Sequence, residues 1–373
     1  MEKKFKIDKN YFETKPSKLK TKIILSKYNF SEIDIFDEKP CIYLTPSISE
    51  IDKYLISKCM NIKFVFLKAE LIFQINFNLV SETEEKEIIR KIEELKNFGY
   101  SLSIIFNSSP TIFGETEKLT EKLIHILAKT NLDIKFLTFP GAYFSNPVWS
   151  DEDRKNKIYA YQKSTIKSTD LIGLSKKNII KVFENHLPSS ATKYLQKYKA
   201  NIISNRTAEH LERVIYACPF CKKLLSLYSE FSCVKCKNCG NAFELSNDGQ
   251  INFSKTLSNF DEIQNFQFNV LKSSDFDINS IITYNKITQF YVENCKIQSK
   301  FNVILQIYPE KLKITLPKTN KTKVYFYEDI EYVLILKHNT ILIKPKNAKQ
   351  FYFSSKSNQN LLIIKDLVKL NKN

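Results

Sequence analysis

Two cysteine pairs constrain this chain more than any other feature. Cys218-Pro-Phe-Cys221 is followed, after 14 residues, by Cys236-Lys-Asn-Cys239-Gly240. Thiolates at this spacing point toward a common centre, and two such knuckles supply the four corners of a tetrahedral Zn²⁺ site. Four cysteine ligands leave no open position, so the site is structural rather than catalytic. Its apparent binding energy of ~10–16 kcal/mol is enough to fold a small ribbon on its own. A second register exists, because Cys233-Val-Lys-Cys236 has the same spacing. Gly240 permits the tight turn after Cys239, which favours Cys236 and Cys239 and leaves Cys233 as the alternative. Cys41, Cys59 and Cys295 read as buried thiols acting as small hydrophobes.

The rest of the 373-residue chain is 43% hydrophobic and 13% aromatic, which excludes a disordered protein and predicts two or three domains. Six glycines, none in a phosphate-cradling loop, exclude the common nucleotide-binding motifs. The 57 Lys+Arg against 40 Asp+Glu give a net charge of +17, but the lysines are scattered. That charge is a mild bias toward anionic membrane surfaces. Only four arginines occur (Arg90, Arg154, Arg206, Arg213), which argues against nucleic acid as the partner. The start, Met1-Glu-Lys-Lys, lacks the apolar core of a signal peptide. The most apolar stretch, Ile62 to Val80, is broken by Lys63, Lys68 and Glu70, so no membrane-spanning segment is expected. The expected location is cytoplasmic, with peripheral attachment at the inner membrane face as the alternative.

Strand and helix patterns alternate in the first half. Residues 40–45 and 62–67 read as short buried strands, and Ser81-Glu-Thr-Glu84 as a capping box opening a helix to Lys96. Tyr100–Phe106 reads as a strand, Glu117–Lys129 as a helix and Leu132–Phe139 as a strand. The fold class is therefore α/β, a mixed sheet flanked by helices, over residues 1–205. A helix plus the ribbon takes 206–250, and a β-rich region takes 258–373. Its strands are Phe301–Tyr308, Lys311–Leu316, Lys323–Tyr327, Tyr332–Leu336, Thr340–Lys344 and Gln350–Phe353, closed by a helix from Gln359 to Leu370. By analogy, this layout is of the pleckstrin-homology (PH) type.

Several short stretches resemble bacterial 1-acylglycerol-3-phosphate acyltransferases (PlsC-like) that carry a C-terminal zinc ribbon. Phe106-Asn-Ser-Ser-Pro-Thr-Ile-Phe-Gly114-Glu115-Thr116 is similar to that subfamily's Phe-Pro-Glu-Gly-Asn-Arg and Gly-Glu-Thr. Gly141, Tyr143, Pro147 and Trp149 match its Gly-Gly-Tyr-x-x-Ser-Pro-x-Trp. Lys68-Ala-Glu70-Leu71 looks like the family's Lys-Lys-Glu-Leu, and Glu209-His-Leu211-Glu212 through Cys218 resembles its helix into the ribbon. The resemblance implies transfer of a fatty acyl group from a thioester to a lysophospholipid hydroxyl. In that family the His of an Asn-His-x4-Asp motif takes the hydroxyl proton and the Asp orients it.

The motif is degenerate here. Leu44-Thr-Pro46-Ser47-Ile-Ser49-Glu-Ile-Asp52 occupies its position, with Asp52 matching the Asp and Ser47 standing where the His belongs. Five residues beyond His125, His186, His210 and His338 stand Thr130, Ala191, Ile215 and Ile343, so no His-x4-Asp exists. Asn107-Ser108-Ser109 replaces Pro-Glu-Gly, and no arginine precedes Arg90. Ser47, Asp52, Ser108 and Ser109 are therefore vestigial positions, with Asp52 expected to cap the helix that follows. His125, His186 and His210 read as surface residues, and Tyr143 and Trp149 as core packing. The expectation is an acyltransferase homologue that has lost catalysis and binds a lysophospholipid, an anionic membrane surface or a paralogous acyltransferase. The alternatives are an active acyltransferase with rearranged groups, and a nucleic-acid-binding ribbon protein.

Overall fold

The computed structural model describes residues 7–31, 39–47, 49–76, 78–106, 111–191, 193, 197, 201–252, 260–273, 282–293, 296–336 and 339–372. The chain divides into two units, one of residues 1–146 and 153–200, the other of 147–152 and 201–373.

The first unit is built on a mixed sheet. Its strands are β1 (Phe12–Glu13), β3 (Ile42–Pro46), β4 (Phe64–Leu67), β5 (Ser101–Phe106), β6 (Ile134–Thr138) and β8 (Tyr161–Ile166). They lie in the order β1-β4-β5-β3-β6-β8; the four central strands are parallel and the two edge strands antiparallel. A separate parallel pair joins β2 (Asn29–Ser31) to β7 (Lys157–Tyr159). Because side chains alternate across a strand, β3 sends Ile42 and Leu44 to one core and Tyr43 to another. The first core packs under α3 (Ala69–Asn76), α4 (Glu82–Asn97), α5 (Glu121–Ala128) and α7 (Lys176–His186). The second packs under α1 (Lys18–Leu25) and α2 (Asp52–Cys59), with the short α6 (Ala142–Ser145) also contributing to it. Both faces of the sheet are covered, which is why its strands read as unbroken apolar runs.

Local chemistry sets the helix ends. The capping box at α4 forms as expected: the Ser81 hydroxyl accepts the Glu84 N–H, and the Glu84 carboxylate accepts the Ser81 N–H. Helix α5 starts at Glu121 rather than Glu117, because Thr120 Oγ1 accepts the Leu123 N–H and stops the helix extending backward. Strands β7 and β8 were not expected, since their exposed, polar residues show no clean alternation.

The second unit holds a four-stranded antiparallel sheet and a seven-stranded one. The small sheet runs β12-β11-β10-β9, from β9 (Leu227–Glu230), β10 (Cys233–Cys236), β11 (Ala242–Leu245) and β12 (Ile251–Asn252). The large sheet comprises β13 (Ile282–Glu293), β14 (Lys296–Ile307), β15 (Lys311–Thr315), β16 (Thr322–Phe326), β17 (Ile330–Leu336), β18 (Thr340–Pro345) and β19 (Phe351–Ser355). Every pair in it is antiparallel, in the order β16-β15-β14-β13-β19-β18-β17, so the first strand pairs with the last. Helix α8 (Phe260–Lys272) precedes this sheet and α9 (Leu362–Leu370) follows it. Six of the seven strands were expected; β13 escaped notice because it is rich in Thr, Asn, Lys and Gln.

No helix leads into the ribbon. Residues 209–218 form only a 3-10 turn at Leu211–Arg213, which His210 enters at φ 70. Leu211, Val214, Ile215, Tyr216 and Ala217 are all buried, so this segment has no polar face to expose as a surface helix would. Its backbone is held instead by side chains. Gln267 of α8 accepts the Tyr216 N–H at 3.1 Å and donates to the Val214 carbonyl at 3.2 Å. Asn360 donates to the Glu212 carbonyl at 2.9 Å, and the Tyr216 hydroxyl donates to Asp366 of α9 at 2.8 Å.

Two predictions follow from these environments. Gly141 has φ 92, and a Cβ there would lie 2.3 Å from the Lys157 carbonyl, whereas one at Gly99 (φ 74) would meet nothing within 4 Å. Gly141→Ala therefore lowers the thermal midpoint of the first unit far more than Gly99→Ala. Burial raises the Asp366 pKa, against the Tyr216 hydrogen bond. The folded state then holds the Asp366 proton more tightly than the unfolded chain, so its contribution weakens as pH rises above the ordinary carboxylate value. Asp366→Asn keeps an acceptor for Tyr216 and flattens that slope, read as melting temperature against pH.

Candidate functional site

The four thiols of the two pairs converge. Cys218 Sγ lies 3.8 Å from Cys239 Sγ, Cys221 Sγ lies 3.8 Å from Cys236 Sγ, and all four sulfurs are within 4.8 Å of one another. Metal–sulfur bonds of about 2.3 Å put tetrahedral sulfurs about 3.8 Å apart; a disulfide needs about 2.05 Å. The donor set fits a tetrahedral, thiophilic metal ion. The two turns that present it share one device. Lys222 and Gly240 each follow the second cysteine of a pair in the left-handed region, at φ 59 and 73. Their N–H groups return to the Cys218 and Cys236 carbonyls at 2.9 and 3.0 Å.

Two of the sulfurs, those of Cys236 and Cys221, sit where hydrogen bonds favour the thiolate. Cys236 receives the Asn238 N–H at 3.4 Å and touches the Ser226 hydroxyl at 3.2 Å. Burial pushes its pKa up, but the Ser226 hydroxyl and the Cys239 and Asn238 amides outweigh burial and bring it to about 6. Cys221 is lowered as well: against burial stand the Lys223 amide and the Asn238 side chain. Cys218, the deepest of the four, is pushed by burial up to about 12. Cys233 lies on β10 with its sulfur 4.0 Å from the Ser232 hydroxyl, outside the cluster.

A second candidate lies at the carboxyl ends of the parallel strands, where open α/β sheets place their sites. Ser47 follows β3, is 8% exposed, donates its N–H to the Phe106 carbonyl and accepts the Thr111 N–H. Asp52, 2% exposed, is the first residue of α2 rather than its cap. Its carboxylate accepts the Ser49 N–H at 2.9 Å, turned back toward the preceding loop instead of down the helix. Ser108 and Ser109 lie outside the described residues.

Tyr143 and Phe144 stack edge-on 4.7 Å apart, and the Tyr143 hydroxyl donates to the Ile112 carbonyl at 2.7 Å. The cleft at the end of β6, lined by Phe139, Pro140, Tyr143, Tyr161 and Lys163 among others, encloses about 110 Å³. Ligand pockets typically span ~300–1,000 Å³.

A polar network, not foreseen from sequence, runs from buried Ser49 and Asn146 to half-buried Tyr28 and exposed Asp153. Ser49 Oγ donates to Asn146 Oδ1 at 3.3 Å, and Asn146 Nδ2 donates to Asp153 at 2.6 Å and to the Tyr28 hydroxyl at 3.0 Å. Tyr28 donates to Asp153 at 2.7 Å; burial, then this carboxylate, raises its pKa. Only a contact map could have joined positions 28, 49, 146 and 153.

The described histidines of the first unit lie on helices other than α2. His125 of α5 lies 3.5 Å from Glu85, and His186, at the end of α7, bonds the Val182 carbonyl and stacks on Phe136. His210 lies 3.4 Å from Asp151 in the second unit, and His338 is outside the described residues. Tyr143 and Trp149 are core residues, as expected. Arg90 pairs with Glu87 and Glu94, Arg206 with Glu209, and Arg213 with Asp151 in a bidentate pair at 2.8 and 2.9 Å. No helix among the described residues is long and apolar enough to cross a membrane.

No protein-family model matches the chain, and no curated protein matches it. Among solved structures it is similar to the 1-acyl-sn-glycerophosphate (LPA) acyltransferase PlsC from Thermotoga maritima. That likeness has a TM-score of 0.32 and 14% identity, over 42% of this chain and 70% of that one. It is also similar to the C-terminal domain of an unknown protein from Leishmania infantum, with a TM-score of 0.17 and 16% identity, over 23% of this chain and 82% of that one. At these scores neither likeness assigns an activity.

The cysteine geometry makes a direct prediction. Metal analysis of the purified chain gives about one ion per molecule, lost in Cys236→Ser and in Cys239→Ser and kept in Cys233→Ser. Equal loss in Cys233→Ser would reassign the register.

Proposed function

We propose that this chain is a PlsC-like acyltransferase homologue that has lost acyl transfer and acts as a binding protein. The observation that carries this reading is the state of the loop after β3. Ser47 stands where the base would be, and the Asp52 carboxylate holds the Ser49 amide rather than an imidazole. A serine hydroxyl cannot take a proton near neutral pH, and loss of a general base lowers rates by typically ~10²–10⁴-fold. The described histidines of this unit, His125 and His186, sit on α5 and α7, across the sheet from α2.

In this reading residues 1–205 are the acyltransferase-like part, 206–250 a ribbon whose Cys218, Cys221, Cys236 and Cys239 would hold structural Zn²⁺, and 258–373 a PH-type part. The strand order of the large sheet, its first-to-last pairing and its C-terminal helix support that last assignment. The partner would be a lysophospholipid, an anionic membrane surface or a paralogous active acyltransferase, in the cytoplasm or at the inner membrane face.

The test is incubation of the full chain with lysophosphatidic acid and a labelled acyl thioester. Product stays at background. Turnover that Asp52→Ala abolishes would overturn the reading in favour of an active enzyme with rearranged groups.

A further inference from the structure

One cavity of the first unit lies away from the Ser47 loop. It is a groove of about 690 Å³ between α1, β2 and the far end of α2 from Asp52. Lys15, Lys18, Lys22 and Lys58 line it, and among the described residues no aspartate or glutamate does. Four ammonium groups around one concavity concentrate positive potential that a compact dianion would neutralise. The groove also has apolar walls: Leu25 and Met60 are 8% and 2% exposed, and Phe30 is half-buried.

A further observation points the same way. Thr21, another lining residue, is 5% exposed, and its Oγ1 has no hydrogen-bond partner among the described residues. Buried hydroxyls are normally bonded. On the outer side of the same helix, Leu19 and Ile23 are left 69% and 57% exposed.

We propose that this groove binds a phosphate monoester joined to an apolar body, with Lys18 and Lys22 holding the phosphate and Leu25, Phe30 and Met60 receiving the body. Lys15 and Lys58 add charge from the two ends of the groove, and Thr21 offers a hydroxyl to a phosphate oxygen. The site is separate from the vestigial loop, so it stands whether or not acyl transfer has been lost.

The experiment titrates the full chain with inorganic phosphate, with hexyl phosphate, and with phosphatidylcholine vesicles lacking or containing phosphatidic acid. Hexyl phosphate binds more tightly than inorganic phosphate, and Lys18→Gln/Lys22→Gln weakens binding at least about tenfold. The charge-matched variant Lys86→Gln/Lys181→Gln, on α4 and α7, binds as the parent does. Binding to acidic vesicles without binding to hexyl phosphate, still lost in Lys18→Gln/Lys22→Gln, supports the site with a bilayer as the source of its ligand. Equal losses in both double variants, or none in Lys18→Gln/Lys22→Gln while its melting curve is unchanged, overturn the proposal.

Discussion

Strand β3 is the constraint on which the first unit depends. Ile42, Tyr43 and Leu44 are fully buried, and the strand is paired on both edges, by β5 and β6. A strand enclosed on four sides has one freedom left, which is where it ends. It ends at Pro46, after which the chain turns through Ser47 and Ser49 into α2. The position of Asp52 follows from that turn, and its carboxylate is spent on closing it. The same stretch that a catalytic loop would need for an exposed base is here a closed set of backbone and carboxylate bonds.

The second unit rests on different physics. At its small sheet, two left-handed turns let four sulfurs meet within 4.8 Å of one another. The segment before the first thiol makes one 3-10 turn and is held further by buried side chains: Gln267 of α8 bonds the Tyr216 amide, Asn360, just before α9, the Glu212 carbonyl, and Asp366 of α9 the Tyr216 hydroxyl. Buried polar side chains of this kind stabilise only when all their partners are present.

What could be read from sequence follows from how local each signal was. The capping box at Ser81, the paired cysteines and the apolar runs of β3 to β6 depend on neighbours within a few positions, and all appear in the structure. Strand β13 and helix α8 were invisible for the opposite reason. β13 interrupts its apolar residues with Thr, Asn, Lys and Gln and is held by β14 and β19 on either side, while α8 hides a fully buried glutamine among Asn and Gln. The role of Asp52 was misread because capping and turn closure use the same residue type, and only the partner distinguishes them. The lysine groove draws on residues 15 to 61, whose charge looked merely scattered along the chain.

The bond between Tyr216 and Asp366 joins positions 150 apart, and Tyr216 precedes the first thiol by a single residue, Ala217. That proximity governs how the molecule can be taken apart. A fragment ending near residue 250 would contain every sulfur, yet it would strand a buried tyrosine hydroxyl and the Tyr216 amide without acceptors. A fragment starting after it would leave Asp366 facing a void. A ribbon expressed alone would therefore be a different object from the ribbon in the intact chain, whose unit spans residues 147–152 and 201–373.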